Sequence, residues 1–174
     1  MSNEFKGSVT LHPAFVSLKA SYPELDCMVS SFKRYWKEGY HPHIGRDSIL
    51  PVPDIYQLNA IGRSHVKPIE FENLSYSSSE TCWNHWGSSS ANPVIPTSNT
   101  FLLYCIDENR NACLISYLDS SDKDSHDIIK QPSFRRDMQL RAEEFFNHKK
   151  SSAMPVEEHD QLFSEKWLED EDSN

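Results

Sequence analysis

The stretch "TFLLYCIDENRNACLISYL", from Thr100 to Leu118, constrains the fold more than any other part of the chain. Two nearly continuous apolar, β-prone runs flank the polar segment "DENRN". A short polar break between such runs predicts an antiparallel hairpin. Unbroken apolarity, in place of strict alternation, puts that hairpin at the centre of a sheet covered by helices.

Two amphipathic helices are the natural covers. Residues 21–38 carry Leu25, Met28, Val29, Phe32, Tyr35 and Trp36 at helical spacing. Ser21 and Glu24 have the spacing of a capping box, and Gly39 suits the C-terminal cap. Lys33, Arg34 and Lys37 fall in the last turns, where cations complement the helix dipole. Residues 133–150 repeat the pattern with Phe134, Met138, Ala142, Phe145 and Phe146. Between them, "DIYQLNAIG" reads as a short helix or turn and "RSHVKPIEF" as a weak strand. The serine-rich stretch 72–99 reads as a long surface loop. Its tryptophans, Trp83 and Trp86, either pin that loop to the core or offer a contact surface; pinning is the preferred assignment. The expected class is α+β: a small antiparallel sheet packed by an N-terminal and a C-terminal helix.

Charge divides the chain into a domain over 1–150 and an acidic tail over 151–174. From Pro155 onward eight acids face Lys166 alone, so the tail carries −7 of the total −9. Local charge therefore matters more than global charge. The tail is expected to be a solvated, disordered end, or a short helix with Leu162, Phe163 and Trp167 on one side. The alternative is a phosphate mimic lying on the basic face. The N-terminus has no signal-peptide hydrophobic stretch and no apolar run reaches membrane-spanning length, so the expected location is the cytoplasm, with no membrane partner. Cys27, Cys82, Cys105 and Cys113 form no C-x-x-C pair and read as free thiols.

The chain lacks a P-loop, a Rossmann glycine pattern and a G-x-S-x-G elbow. His41 with His43, and Cys82 with His85, lack the second pair that structural zinc requires, so neither a metal nor a cofactor is expected. The remaining inventory is basic: Arg46, His65, Lys67, His126, Lys130, Arg135 and Arg136. Metal-free RNA cleavage needs such side chains. A base takes the ribose 2′-OH proton, cations stabilise the phosphorane, and an acid protonates the 5′-oxygen. Histidine serves at either end near neutral pH.

Two blocks resemble YafO-type toxins. The first is "FKRYWKEGYHPHIGRDS", matching at Phe32, Tyr35, Lys37, Glu38, Gly39, Pro42, Ile44, Gly45, Arg46 and Asp47. The second contains the strand Leu103, Tyr104 and Cys105, the loop His126 with Lys130 four residues on, and a closing helix ending in Ala142-Glu143-x-Phe145. His65 falls where that family also tends to carry a histidine. The likeness spans residues 20–147. An aromatic before G-R-D is missing, the 72–99 loop is longer, and the acidic tail has no counterpart.

The resemblance implies a RelE-like toxin of a toxin–antitoxin pair that cuts mRNA on the translating ribosome. Its implied partners are mRNA presented by ribosomal RNA and a cognate antitoxin protein. The expected catalytic group is Arg46, His126, Lys130 and Arg136, supported by His65 and Tyr104. Lys33, Arg34, Lys37, Lys67 and Arg135 are the expected RNA contacts. Asp47 is expected to be structural, as an arginine's salt-bridge partner or a turn cap.

Overall fold

The computed structural model describes residues 4–88, 93–119 and 124–169. Five strands form one sheet in the order β1-β5-β4-β3-β2. They are β1 (Val9–Leu11), β2 (Ile44–Ile49), β3 (Ile61–Val66), β4 (Phe101–Ile106) and β5 (Ala112–Leu118). The helices are α1 (Pro13–Leu18), α2 (Leu25–Glu38), α3 (Asp54–Leu58), α4 (Glu80–Gly87), α5 (Ser125–Lys130) and α6 (Pro132–Lys149). The class is α+β, as expected.

The β4–β5 hairpin is central, and each strand feeds two cores. Leu102, Tyr104 and Ile106 face α2 with Leu114 and Tyr117, while Phe101, Leu103 and Cys105 face α6 with Cys113 and Ile115. Covering both faces removes the need for a polar face, which is why these runs are continuously apolar. On the α2 side, Phe15, Phe32 and Trp36 are fully buried. Each such side chain contributes about 1.5–3 kcal/mol of transfer free energy.

The sheet is mixed where a purely antiparallel one was expected. β1 runs parallel to β5, pairing Val9 with Ala112 and Leu11 with Leu114. Three residues are too few to show periodicity, so this edge strand leaves no trace in the sequence pattern. β2, in "IGRDSI", also lacks alternation. It pairs antiparallel with β3 and bulges between Ile44 and Asp47. Such a bulge re-aims side chains.

α2 begins at Leu25 and not at Ser21. The amides of Ser21 and Tyr22 both donate to Leu18 O, closing the end of α1 instead of starting α2. Its C-terminus follows the expectation: Gly39 is left-handed at φ +77° and its amide donates to Tyr35 O.

The acidic end is part of the fold through Glu169; residues 170–174 lie outside the described residues. Two 3-10 turns, Val156–Gln161 and Glu165–Trp167, replace the expected helix. Leu162 is buried, and Phe163 packs its ring against Phe5, Tyr35 and Trp36. Through Glu169 the tail is thus packed on the domain, and none of residues 151–169 lines the site described below. The apolar side was legible in Leu162, Phe163 and Trp167; their docking surface was not.

Candidate anion-binding active site

Strand alternation divides β3 between two environments. Ser64 points to the α2 side and donates to Asp47 Oδ1 at 2.6 Å. Arg63 and His65, two residues apart, point to the other side. His65 lies opposite Phe101 in the β3–β4 register. The fully buried Phe101 ring is the common wall. His65 meets it edge-on with centroids 4.8 Å apart, and His126 does so at 5.2 Å. The Arg63 guanidinium lies 4.9 Å from the same ring centre.

Local capping fixes His126. Asp124, the N-cap of α5, accepts the His126 amide at 2.9 Å and lies 3.2 Å from its ring Nδ1. Ser125 Oγ donates to Asn99 O at 2.7 Å, tying α5 to the segment before β4. That segment also fixes His65: Nδ1 is 2.9 Å from Ser98 N and 2.7 Å from Ser98 O. In either tautomer the Ser98 backbone engages Nδ1 and leaves Nε2 without a partner.

Arg46 arrives from β2, and glycine makes its placement possible. A Cβ on Gly45 would sit 2.3 Å from Pro96 O and 2.9 Å from the Trp83 ring. The close approach lets Arg46 N donate to Pro96 O at 2.9 Å. α4, inside the expected loop, secures this edge. Trp83 Nε1 donates to Thr97 O, and Trp86 Nε1 to Ile44 O and His41 O. Both tryptophans therefore pin, as preferred from sequence.

Arg46, Arg63, His65, Ser98, Thr100 and His126 line one cavity of about 310 Å³, with Glu70 and Glu72 also on its wall. Among the described residues, no ion pair involves Arg46 or Arg63. The Glu72 carboxylate accepts from Asn99 Nδ2 at 2.6 Å. Arg63 Nε and His65 Nε2 are both buried without a hydrogen-bond partner. Burial, and then repulsion from Arg46, hold the Arg63 guanidinium below its usual pKa. Burial, with Arg63 next, pushes His65 down to about 3, and the Ser98 contact only partly opposes this. His65 is a neutral imidazole at physiological pH, not the near-neutral titrating group expected from sequence. Orphaned polar nitrogens and uncompensated cations are costly in a folded protein unless a ligand satisfies them. An anion with several acceptor oxygens does so.

The other expected site residues lie elsewhere. Tyr104 is fully buried on the α2 side, where its hydroxyl donates to Asp47 at 2.6 Å. Strand alternation excludes it from the cavity. Asp47 is structural, as expected, but its partners are the hydroxyls of Tyr35, Ser64 and Tyr104, with no arginine bonded to it. Burial raises its pKa, against those three hydrogen bonds. Lys130 is exposed, 3.7 Å from Asp127, and neither it nor the exposed Arg136 lines the cavity. Arg135 is half-buried on α6. Lys67 borders a cleft beside α2 with Glu24, Met28 and Ser31. Lys33 is exposed on α2, Arg34 pairs with Glu38 at 3.3 Å, and Lys37 pairs with Glu169 at 2.8 Å. The basic helix end thus supports local structure and the tail.

The sequence reading missed Arg63. Its signal was the i, i+2 relation to His65 within a strand. Among the described residues, no three His, Cys, Asp or Glu side chains gather as a metal site. No protein-family model, curated protein or solved structure matches the chain.

Proposed function

We propose that this chain is a metal-independent endoribonuclease that cuts mRNA on the translating ribosome, as the toxin of a toxin–antitoxin pair in the cytoplasm. The observation that carries the reading is the pair of unneutralised guanidiniums, Arg46 and Arg63, sharing a cavity with the unpartnered Nε2 of His65. An RNA phosphodiester supplies acceptor oxygens for the guanidiniums and a 2′-OH donor for Nε2. In this scheme the two arginines hold the non-bridging oxygens. With Nδ1–H donated to Ser98 O, His65 Nε2 presents a lone pair that accepts the 2′-OH proton. The 2′-oxygen attacks phosphorus, and His126 gives a proton to the departing 5′-oxygen. The products are a 2′,3′-cyclic phosphate and a 5′-hydroxyl. An anion in the cavity cancels the repulsion from Arg46 and Arg63, which raises the basicity of His65 when it is needed. A ribosome that presents the mRNA removes the need for a deep groove, which suits a cavity of about 310 Å³.

A second reading is a phosphate-binding module that does not cut. The depressed basicity of His65 favours it, because a neutral donor suffices for binding. Mapping mRNA 5′ ends in cells expressing the protein, with and without translation blocked, separates the two. Translation-dependent new ends that vanish in Arg63→Ala support cleavage. Growth arrest without new ends supports the binding module, and new ends that persist in Arg63→Ala remove this cavity from the chemistry.

A further inference from the structure

Cys105 and Cys113 face each other directly across the central hairpin, as register partners on β4 and β5. Both point into the α6-side core. Opposed residues of an antiparallel pair lie about 4.5–5.5 Å apart at Cα. A disulfide accepts Cα separations of roughly 4.4–6.8 Å. The Cα separation typical of register partners therefore falls within the range a disulfide accepts, and both are free thiols.

Both cysteines are buried, but only Cys113, at 3% exposure, borders a cavity. This second cavity, of about 410 Å³, lies on the opposite sheet edge from Arg46. His12, Pro13, Glu144, His148 and Lys149 also line it. His12 Nε2 lies 2.6 Å from Glu144 Oε2, so that pair is engaged with itself. The neighbouring Cys105 lowers the Cys113 pKa most; Thr10 and the Lys149 charge add to this against burial, and Cys113 Sγ donates to Leu114 O at 3.9 Å. Burial holds Cys105 above the usual thiol value. Of the two sulfurs, Cys113 is the one beside a cavity, and Cys105 lies behind it in the core.

We propose that Cys113 is a peroxide-reactive modification site and that Cys105 is its resolving thiol. The Cys113 thiolate attacks one oxygen of hydrogen peroxide and breaks the O–O bond, leaving Cys113 sulfenic acid and hydroxide. Cys105 then attacks the Cys113 sulfur, its proton leaves with the departing hydroxyl as water, and a Cys105–Cys113 disulfide closes the hairpin. Peroxide is reduced and the two thiols are oxidised by two electrons. The inference does not depend on the RNA-cleaving reading.

The test treats the full-length protein with equimolar hydrogen peroxide, blocks remaining thiols with iodoacetamide, and maps peptides by mass spectrometry. The expected product is a monomer lighter by two hydrogen atoms, with Cys105 and Cys113 linked. The exposed Cys27 is the internal standard, and Cys113 should be consumed about tenfold faster than it. In Cys105→Ala, Cys113 should stop at the sulfenic acid and be trapped by dimedone. Oxidation of Cys27 first, a linkage to Cys27 or Cys82, or an unmodified Cys113 in the wild-type protein would each overturn the proposal. The wild-type peptide map decides the matter even where the variant fails to fold.

Discussion

The Arg110 Nε donates to the backbone carbonyl of Leu162 at 2.6 Å, joining the hairpin turn to the acidic end of the chain. The same guanidinium donates to Lys6 O and to Trp36 O. Its Cζ lies 4.4 Å from the Trp36 ring centre and 4.9 Å from that of Phe163. Three carbonyls and aromatic faces offset the cost of burying this cation, where no carboxylate is bonded to it.

Arg110→Met should destabilise the protein by about 3 kcal/mol or more, because three buried carbonyls lose their donor. Arg110→Lys should not restore it, since an ammonium lacks the planar fork that spans three acceptors. Urea unfolding of the three proteins measures both effects.

Ending the chain at Ser151 should lower stability and should not raise RNA cleavage. The truncation removes the buried Leu162, at about 1.5–3 kcal/mol, and the partly buried Phe163, at a fraction of that range. None of the residues 151–169 lines the Arg46–Arg63 cavity. A soluble, equally stable truncation with higher activity would restore the phosphate-mimic role for the tail.

Arg63→Met should reduce RNA cleavage at least about 100-fold while leaving stability unchanged or raised by up to about 1 kcal/mol. The substitution removes a half-buried cation that Arg46 repels. Parallel cleavage assays and thermal melts test the two arms. A strong loss of stability would mean that the stacking of Arg63 on Phe101 outweighs the repulsion.

Gly45→Ala should destabilise by about 1–3 kcal/mol and impair the site, because the new methyl meets the Pro96 carbonyl, which is backbone. Chemical denaturation and the 5′-end map report the two consequences.

His65 sets a pH dependence of known sign. Its folded pKa of about 3 lies below the unfolded value near 6.5, so between these values the unfolded chain holds the extra proton. Stability from this group is complete above about pH 6.5 and is lost as pH falls toward 3, by up to about 1.4 kcal/mol per unit. Asp47 acts in the opposite sense: its raised pKa favours the fold at low pH, and that contribution fades as pH rises through the raised value. Urea midpoints at several pH values should show a shallower acid loss in His65→Gln than in the wild type. Identical slopes would show that His65 is not held neutral.

The fold was legible where periodicity was strong. The β4–β5 hairpin, α2 and α6 follow from apolar spacing alone. β1 and β2 did not, because three residues, or a run containing Gly45, Arg46 and Asp47, carry no pattern; pairing with β5 and β3 creates them. α4 was hidden by its serine-rich surroundings, although Ser79 caps it by accepting from Cys82 N. In the site, Arg46, His65 and His126, chosen by residue type and by the resemblance, line one cavity. Lys130 and Arg136, chosen on the same two grounds, and Tyr104, chosen by the resemblance, do not line it. Residue type selects candidates, and only strand facing and helix phase sort them.

The shared wall at Phe101 limits how such a protein can diverge. Arg63, His65 and His126 all pack on one aromatic ring, besides the Ser98 and Asp124 contacts that fix the two histidines, so changing its size disturbs all three groups together. Change free of that constraint is left to the exposed lining residues Glu70, Leu74 and Ser75.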